Sequence, residues 1–165
     1  MKNENYELTP KKYIQITTFL FFGFLLGPIF LGTIAYYTSE EPLLLLSNAE
    51  DIFFFIVPIA AFSGILIGTF LFKKTLVSSL EKKTLREKLN LFQSASIIKY
   101  ASIEGPAILS IVAFFNSNNL FYLLIAICLM AYFFLLLPTK DKIEQSLKLR
   151  GELKNQFNKE NGVIK

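Results

Sequence analysis

A single carboxylate lies deep inside one of the long apolar stretches of this chain. Glu104 falls in the run 97–115, eleven residues before its end, and Gly105-Pro106 follows directly. A charge in the hydrocarbon part of a bilayer is costly, so this side chain must be protonated, paired or in contact with water. Two kinds of chemistry follow: binding of a proton or cation, or a hydrogen bond that holds helices together.

The neighbouring proline supplies a second polar group. Pro106 has no N–H, so the carbonyl of Ser102 loses its helical donor and the helix tends to kink. A free carbonyl beside a carboxylate at membrane depth suits the coordination of an ion or proton, as in the broken helices of transporters. The structural alternative is a protonated Glu104 that hydrogen-bonds a neighbouring helix.

Further members of this candidate site follow from depth. At 1.5 Å per residue, Glu104 lies roughly 16 Å from the outer end of its run, near the midplane of a bilayer. Gly27, Ser63 and Tyr132 are predicted at the same depth. Ser63 and Tyr132 are candidate hydrogen-bond partners, and Gly27 could make room for the carboxylate. Tyr100 lies one turn away on the same helix face, and Lys99 can extend to the interface or towards the carboxylate.

Four long apolar runs must position these residues. Hydrophobic residues make up 53% of the chain, and runs of this length are typical of membrane-spanning helices, since lipid offers no partner for backbone polar groups. We therefore predict an all-α, integral membrane four-helix bundle over residues 13–138. The predicted spans are 13–37, 52–72, 97–115 and 120–137.

The basic residues lie on one side of the predicted membrane. Sixteen of the seventeen Lys and Arg residues lie in the segments 1–12, 73–96 and 139–165, and the other, Lys99, lies at the adjoining end of the span 97–115, whereas the segment 38–51 has none and is acidic. The remaining polar segment is 116–119. Basic residues favour the cytoplasmic side, so we predict a bacterial inner-membrane protein with a cytoplasmic N-terminal segment, 1–12, and a basic cytoplasmic tail, 139–165.

The connection 73–96 is predicted to be an amphipathic cytoplasmic helix. Thr84-x-x-Glu87 has the form of a capping box. Its apolar positions are Leu85, Leu89 and Phe92. We expect this helix, and a similar one in the tail, to lie on the membrane surface and contact anionic headgroups, or alternatively a soluble partner. The basic residues expected to make these contacts are Lys82, Lys83, Arg86 and Lys88.

Two segments of the chain resemble each other. The segment beginning at Gly27-Pro28 and the segment beginning at Gly105-Pro106 share the Gly-Pro pair and the pattern of the next nine residues. This indicates a duplicated helical hairpin whose halves are related by an axis along the membrane normal. Leu26 takes the place of Glu104 in the first copy, so the duplication predicts one acidic site.

Small residues at helical spacing predict close helix contacts. Gly23 and Gly27 form one small-x-x-x-small face, and Gly64 and Gly68 form another. We expect these faces to join the first two spans. A homodimer or another membrane-protein partner is the alternative.

The composition restricts the function. The chain has no His, one Cys (Cys128) and no phosphate-binding Gly-rich loop, so we predict no catalytic residue, no metal and no cofactor. The chain has no base-reading motif, so no nucleic-acid partner is predicted. The prediction is a non-enzymatic scaffold, assembly or regulatory component, with a proton- or cation-handling protein based on Glu104 as the alternative and an integral membrane enzyme as the third.

Two resemblances accompany this interpretation. The stretch from Ser94-Ala95-Ser96-Ile97 to Glu104-Gly105-Pro106-Ala107 resembles small, uncharacterised four-span membrane proteins of bacteria, which implies a fold and no activity. A duplicated hairpin with one mid-membrane Glu is distantly similar to the rotor proteolipids of proton-translocating ATPases. The Gly-x-Gly face of those proteins is missing here and the carboxylate lies on the other helix of its hairpin, so no rotor function is implied.

Overall fold

The computed structural model describes residues 8–46, 51–159 and 161–164, and this part of the chain is all-helical. Its helices are α1 (Pro10–Thr38), α2 (Phe53–Ser79), α3 (Leu85–Ser117), α4 (Leu120–Phe134), α5 (Lys140–Ser146) and α6 (Gly151–Asn158). The first three are long and apolar enough to cross a membrane. The prediction of an all-α protein with transmembrane helices is therefore confirmed.

The fourth apolar helix is shorter than predicted. α4 ends at Phe134 and its 15 residues extend about 22 Å. Beyond it, Leu136 N–H donates to the carbonyl of Phe133, a tighter turn than that of an α-helix. Pro138 follows and disfavours the α conformation at Leu137, so the helix cannot continue.

The long helix α3 lies at the centre of the molecule. It packs against α1, α2 and α4, whereas α1 and α2 barely touch over the described residues. The expected contact between the first two spans is therefore wrong. α1 runs parallel to α3, since Gly27 lies beside Glu104 and Gly32 lies beside Ile111.

The small-residue face of α2 packs on α3 instead. A Cβ at Gly64 would lie 2.3 Å from the Ser102 carbonyl oxygen and 2.8 Å from Pro106 Cγ. At Gly68 it would lie 2.9 Å from Ser102 Cβ, whereas at Gly23 nothing comes within 4 Å. The two glycines of α2 thus allow the backbones of α2 and α3 to approach closely.

The two halves of the chain pack differently. α3 and α4 form a packed pair, and α1 and α2 do not. The duplication of 27–37 in 105–115 remains a prediction from the sequence.

One end of the molecule carries a hydrophobic core of its own, which we call the basic-end core. It joins the start of α3 to α5, α6 and the start of α1, and Tyr13 Oη donates to the carbonyl of Leu89 at 2.7 Å. Its buried members include Leu85, Leu89, Phe92, Ile143, Leu147 and Phe157. The apolar faces of these segments therefore cover one another. Contact of the segments with anionic headgroups stays a prediction.

The connection between α2 and α3 is a tight turn. α2 continues to Ser79 and α3 begins at Leu85, after the expected capping box of Thr84 and Glu87, which is present. Lys88, predicted to face headgroups, is buried, and its Nζ donates to the Ser79 carbonyl at 2.6 Å. This bond satisfies a carbonyl at the end of α2. The other three basic residues, Lys82, Lys83 and Arg86, are exposed.

At the opposite end, two connecting loops are bonded to each other. Asn119 is buried, and its Oδ1 accepts from the N–H groups of Leu45 and Phe121, both at 3.0 Å. Its Nδ2 donates to the Leu45 carbonyl at 3.1 Å. Tyr122 Oη donates to the Asp51 carboxylate. These bonds hold the acidic loop after α1 against the turn between α3 and α4.

Candidate functional site in the apolar helices

The Glu104 carboxylate lies against the backbone of α1. The side chain is half-buried, and a Cβ on Gly27 would lie 3.4 Å from its Oε1 atom. The depth count placed Gly27 at this level, and the structure does so as well. The missing side chain of this glycine leaves room for the carboxylate.

The predicted partners of Glu104 do not converge on it. Ser63 Oγ donates to the Ala60 carbonyl of its own helix at 3.1 Å. Tyr100 is buried, with its ring 5.6 Å from that of Phe21. In the described part of the chain, no side chain donates a hydrogen bond to Glu104.

Lys99 and Tyr132 are also directed elsewhere. Lys99 Nζ lies 5.1 Å from the centre of the Phe72 ring, towards the basic end of the molecule. Tyr132 is partly buried in an apolar cluster that includes Phe133. Residues predicted at equal depth need not face one another, because depth does not fix the rotation of a helix about its axis.

The carbonyl freed by Pro106 faces away from the carboxylate. A Cβ on Gly64 would lie 2.3 Å from the Ser102 oxygen, so this carbonyl packs closely against the Gly64 backbone. Ser102 and Glu104 are two residues apart, which is about 200° around a helix. The carbonyl is therefore used for packing on α2, while the carboxylate faces α1.

An apolar groove lies beside α3, in its membrane-spanning part. It opens between α1 and α4 above a floor of α3 and has a volume of about 580 Å³. We call it the lateral groove. Its walls include the small or kinked positions Pro28, Gly32, Thr33, Ala126 and Ala131. The sequence patterns did not predict it, because its small residues come from helices that are not adjacent in the chain.

The described residues contain no cluster of three His, Cys, Asp or Glu side chains that could hold a metal ion. The candidate site is therefore described by the half-buried Glu104 carboxylate and the lateral groove. Comparisons of the chain with protein-family models, with curated proteins and with solved structures found no match.

Proposed function

We propose that this chain is a non-enzymatic scaffold of the bacterial inner membrane that holds a transmembrane helix of a partner protein in its lateral groove. In this proposal the four apolar helices form a membrane-embedded bundle. The observation that carries it is the groove itself, which is apolar along its length and opens sideways between α1 and α4. A groove of this kind accepts an apolar segment more readily than a polar solute.

The lining of the groove favours a helix as the occupant. Small residues on the walls allow a second backbone to approach closely, which is how helices associate in lipid. On α1 the lining extends from Leu25 to Tyr36, roughly 17 Å or about half of a hydrocarbon core. That length matches about three turns of a docked helix.

Both termini are placed in the cytoplasm in this proposal. The described N-terminal residues, the turn between α2 and α3 and the tail lie at one end, where Ile164 N–H donates to the Leu8 carbonyl at 2.9 Å. The acidic loop lies at the other end. This separation of charge supports the orientation favoured by the basic residues.

Cysteine labelling tests the orientation. Ser78 and Ser117 are the labelling positions, because they are exposed at the two ends of the molecule. Ser79 is buried, and Ser47 lies outside the described residues. In a Cys128→Ala background, a charged thiol reagent should label Ser117→Cys in intact spheroplasts and Ser78→Cys after the membrane is opened. The reverse pattern would contradict the proposed orientation.

Filling the groove should displace the partner. Ala131 is exposed on the groove wall, so Ala131→Phe places a large ring there. A photo-crosslinking residue at Thr33 should crosslink to a transmembrane peptide of one partner in native membranes, and Ala131→Phe should abolish the adduct. Mass spectrometry of the crosslinked peptide identifies the occupant.

The matched control is Ala101→Phe, the same change at an exposed position of α3 outside the groove. It should leave the crosslink intact. Adducts to lipid alone would show that acyl chains fill the groove and would overturn the scaffold proposal. A crosslink to a second copy of this chain would replace the partner protein with a homodimer.

Proton or cation handling by Glu104 is the second candidate function. The observation in its favour is a half-buried carboxylate at membrane level without a hydrogen-bond donor among the described residues. If this function is correct, reconstituted protein should show pH-driven or cation flux that disappears in Glu104→Gln. Absence of flux in both proteins, with lower thermal stability of the variant, would make Glu104 a structural residue.

A further inference from the structure

A small cavity with two lysines lies near the basic end of the apolar helices. It has a volume of about 240 Å³ and is enclosed by α2, α3, the end of α4 and α5. Its polar lining consists of Ser96, Lys99, Tyr100, Lys142, Gln145 and Ser146. The remaining walls are apolar and include Phe72 and Leu136.

The charge of this cavity is not neutralised by its own lining, which includes no carboxylate. Lys99 Nζ lies 5.1 Å from the centre of the Phe72 ring, and no salt bridge to this lysine is present within the described residues. Lys142 Nζ donates to the carbonyls of Leu135 and Leu137, at 2.8 and 3.2 Å. An ammonium has three donors, so one N–H of Lys142 is left for a ligand.

If Phe115 marks one edge of the hydrocarbon core, the cavity lies at the opposite membrane interface. A helix crosses the hydrocarbon core in about 20 residues, so a count back from Phe115 ends near Ser96. Lys99 and Ser96 thus lie where lipid phosphates are found. The cavity can hold roughly eight water molecules by volume, which is enough room for a phosphodiester group.

We propose that this cavity binds the phosphate of an anionic phospholipid, with Lys99 and Lys142 as its cationic ligands. Lysine binds phosphate as a point charge, and basic pockets between helices on the cytoplasmic side suit such headgroups. The apolar walls at Leu135 and Leu136 give the acyl chains a path into the bilayer. A soluble phosphate would gain nothing from these walls, which is why the lipid is the favoured source.

This site is independent of the scaffold function and differs from the exposed basic residues Lys82 and Lys83. The test uses full-length protein purified in an uncharged detergent and stripped of lipid. Native mass spectrometry and thermal unfolding are followed while phosphatidylglycerol, phosphatidylcholine or inorganic phosphate is added. One tightly bound phosphatidylglycerol is expected in the wild type.

The decisive variant is Lys99→Gln with Lys142→Gln, which should weaken phosphatidylglycerol binding at least about thirtyfold, since it removes both charge-assisted bonds to the phosphate. The control, Lys82→Gln with Lys83→Gln, removes the same charge from exposed positions and should bind as the wild type does. If the double variant unfolds, Lys99→Gln alone replaces it, because this variant preserves the bonds from Lys142 to the carbonyls of Leu135 and Leu137. Its loss of phosphatidylglycerol binding should be smaller.

Three results would overturn this proposal. Equal weakening in both double variants would mean that the attraction is diffuse. Equal binding of phosphatidylcholine, whose phosphate is balanced by choline, would mean that the net negative charge of the headgroup is not recognised. An effect of inorganic phosphate as large as that of the lipid would assign the cavity to a soluble anion. Crosslinking through the lateral groove should persist in all of these variants, so the two proposals can fail separately.

Discussion

Replacement of Gly64 by alanine should destabilise the protein by about 3 kcal/mol, a large effect for one added methyl group. The new Cβ would lie 2.3 Å from the Ser102 oxygen and 2.8 Å from Pro106 Cγ, distances that real Cβ atoms do not tolerate. The clash involves backbone and a rigid proline ring, so no side-chain rotation relieves it. The helices α2 and α3 must separate, and the Ser102 carbonyl then loses its close contact with Gly64.

The matched controls are Gly23→Ala and Gly105→Ala. A Cβ at either position meets nothing within 4 Å, and alanine favours helix by up to about 1 kcal/mol over glycine. Both variants should therefore be as stable as the wild type or slightly more so. Unfolding in detergent mixtures of increasing denaturing strength measures the difference. Equal stability of Gly64→Ala and Gly23→Ala would contradict the close contact between α2 and α3.

This contact also shows which part of the fold the sequence could predict. Gly64-x-x-x-Gly68 correctly indicated a close helix contact, and Pro106 correctly indicated a carbonyl without its helical donor. The pattern could not reveal that these two features meet. A small-residue face is equally compatible with any partner helix, and adjacency in the chain wrongly favoured α1.

The predicted partners of Glu104 do not converge on it for a related reason. Depth along the membrane normal follows from counting residues, and it placed Gly27 beside Glu104 correctly. Rotation about each helix axis depends on which faces pack. The packing of Gly64 on Ser102 fixes the rotation of α2, and Ser63 bonds within its own helix. A list of residues at equal depth therefore contained more partners than the packed helices bring together.

The basic segments show a different case, in which the apolar pattern was correct and the structure packs it against the tail. Leu85, Leu89 and Phe92 were assigned to one face, and all three are buried. A single amphipathic helix in isolation can bury that face only in lipid. The tail supplies a second such face, and contact between the two removes both from water without the membrane.

Replacement of Phe157 by alanine gives the clearest test of that difference and should destabilise the protein by about 3–5 kcal/mol. The Phe157 side chain is 0% exposed in the basic-end core, so the change leaves a cavity among Leu85, Leu89 and Ile143. The loss should appear as a lower midpoint of thermal unfolding in lipid-free detergent. It should also expose the tail to protease at lower temperature.

Phe70→Ala is the matched control, because Phe70 is 65% exposed on the apolar surface of α2 and deletion of its ring leaves no internal cavity. Its unfolding midpoint should remain within a few degrees of the wild type, as expected for a change below about 1 kcal/mol. If α6 instead lay on the membrane, Phe157→Ala would leave stability in detergent unchanged and would weaken contact of the tail with vesicles. Tyr13 joins α1 to Leu89 in the same core, so the cavity should also loosen the start of α1. Faster amide exchange near Tyr13 would show that the core couples the tail to α1.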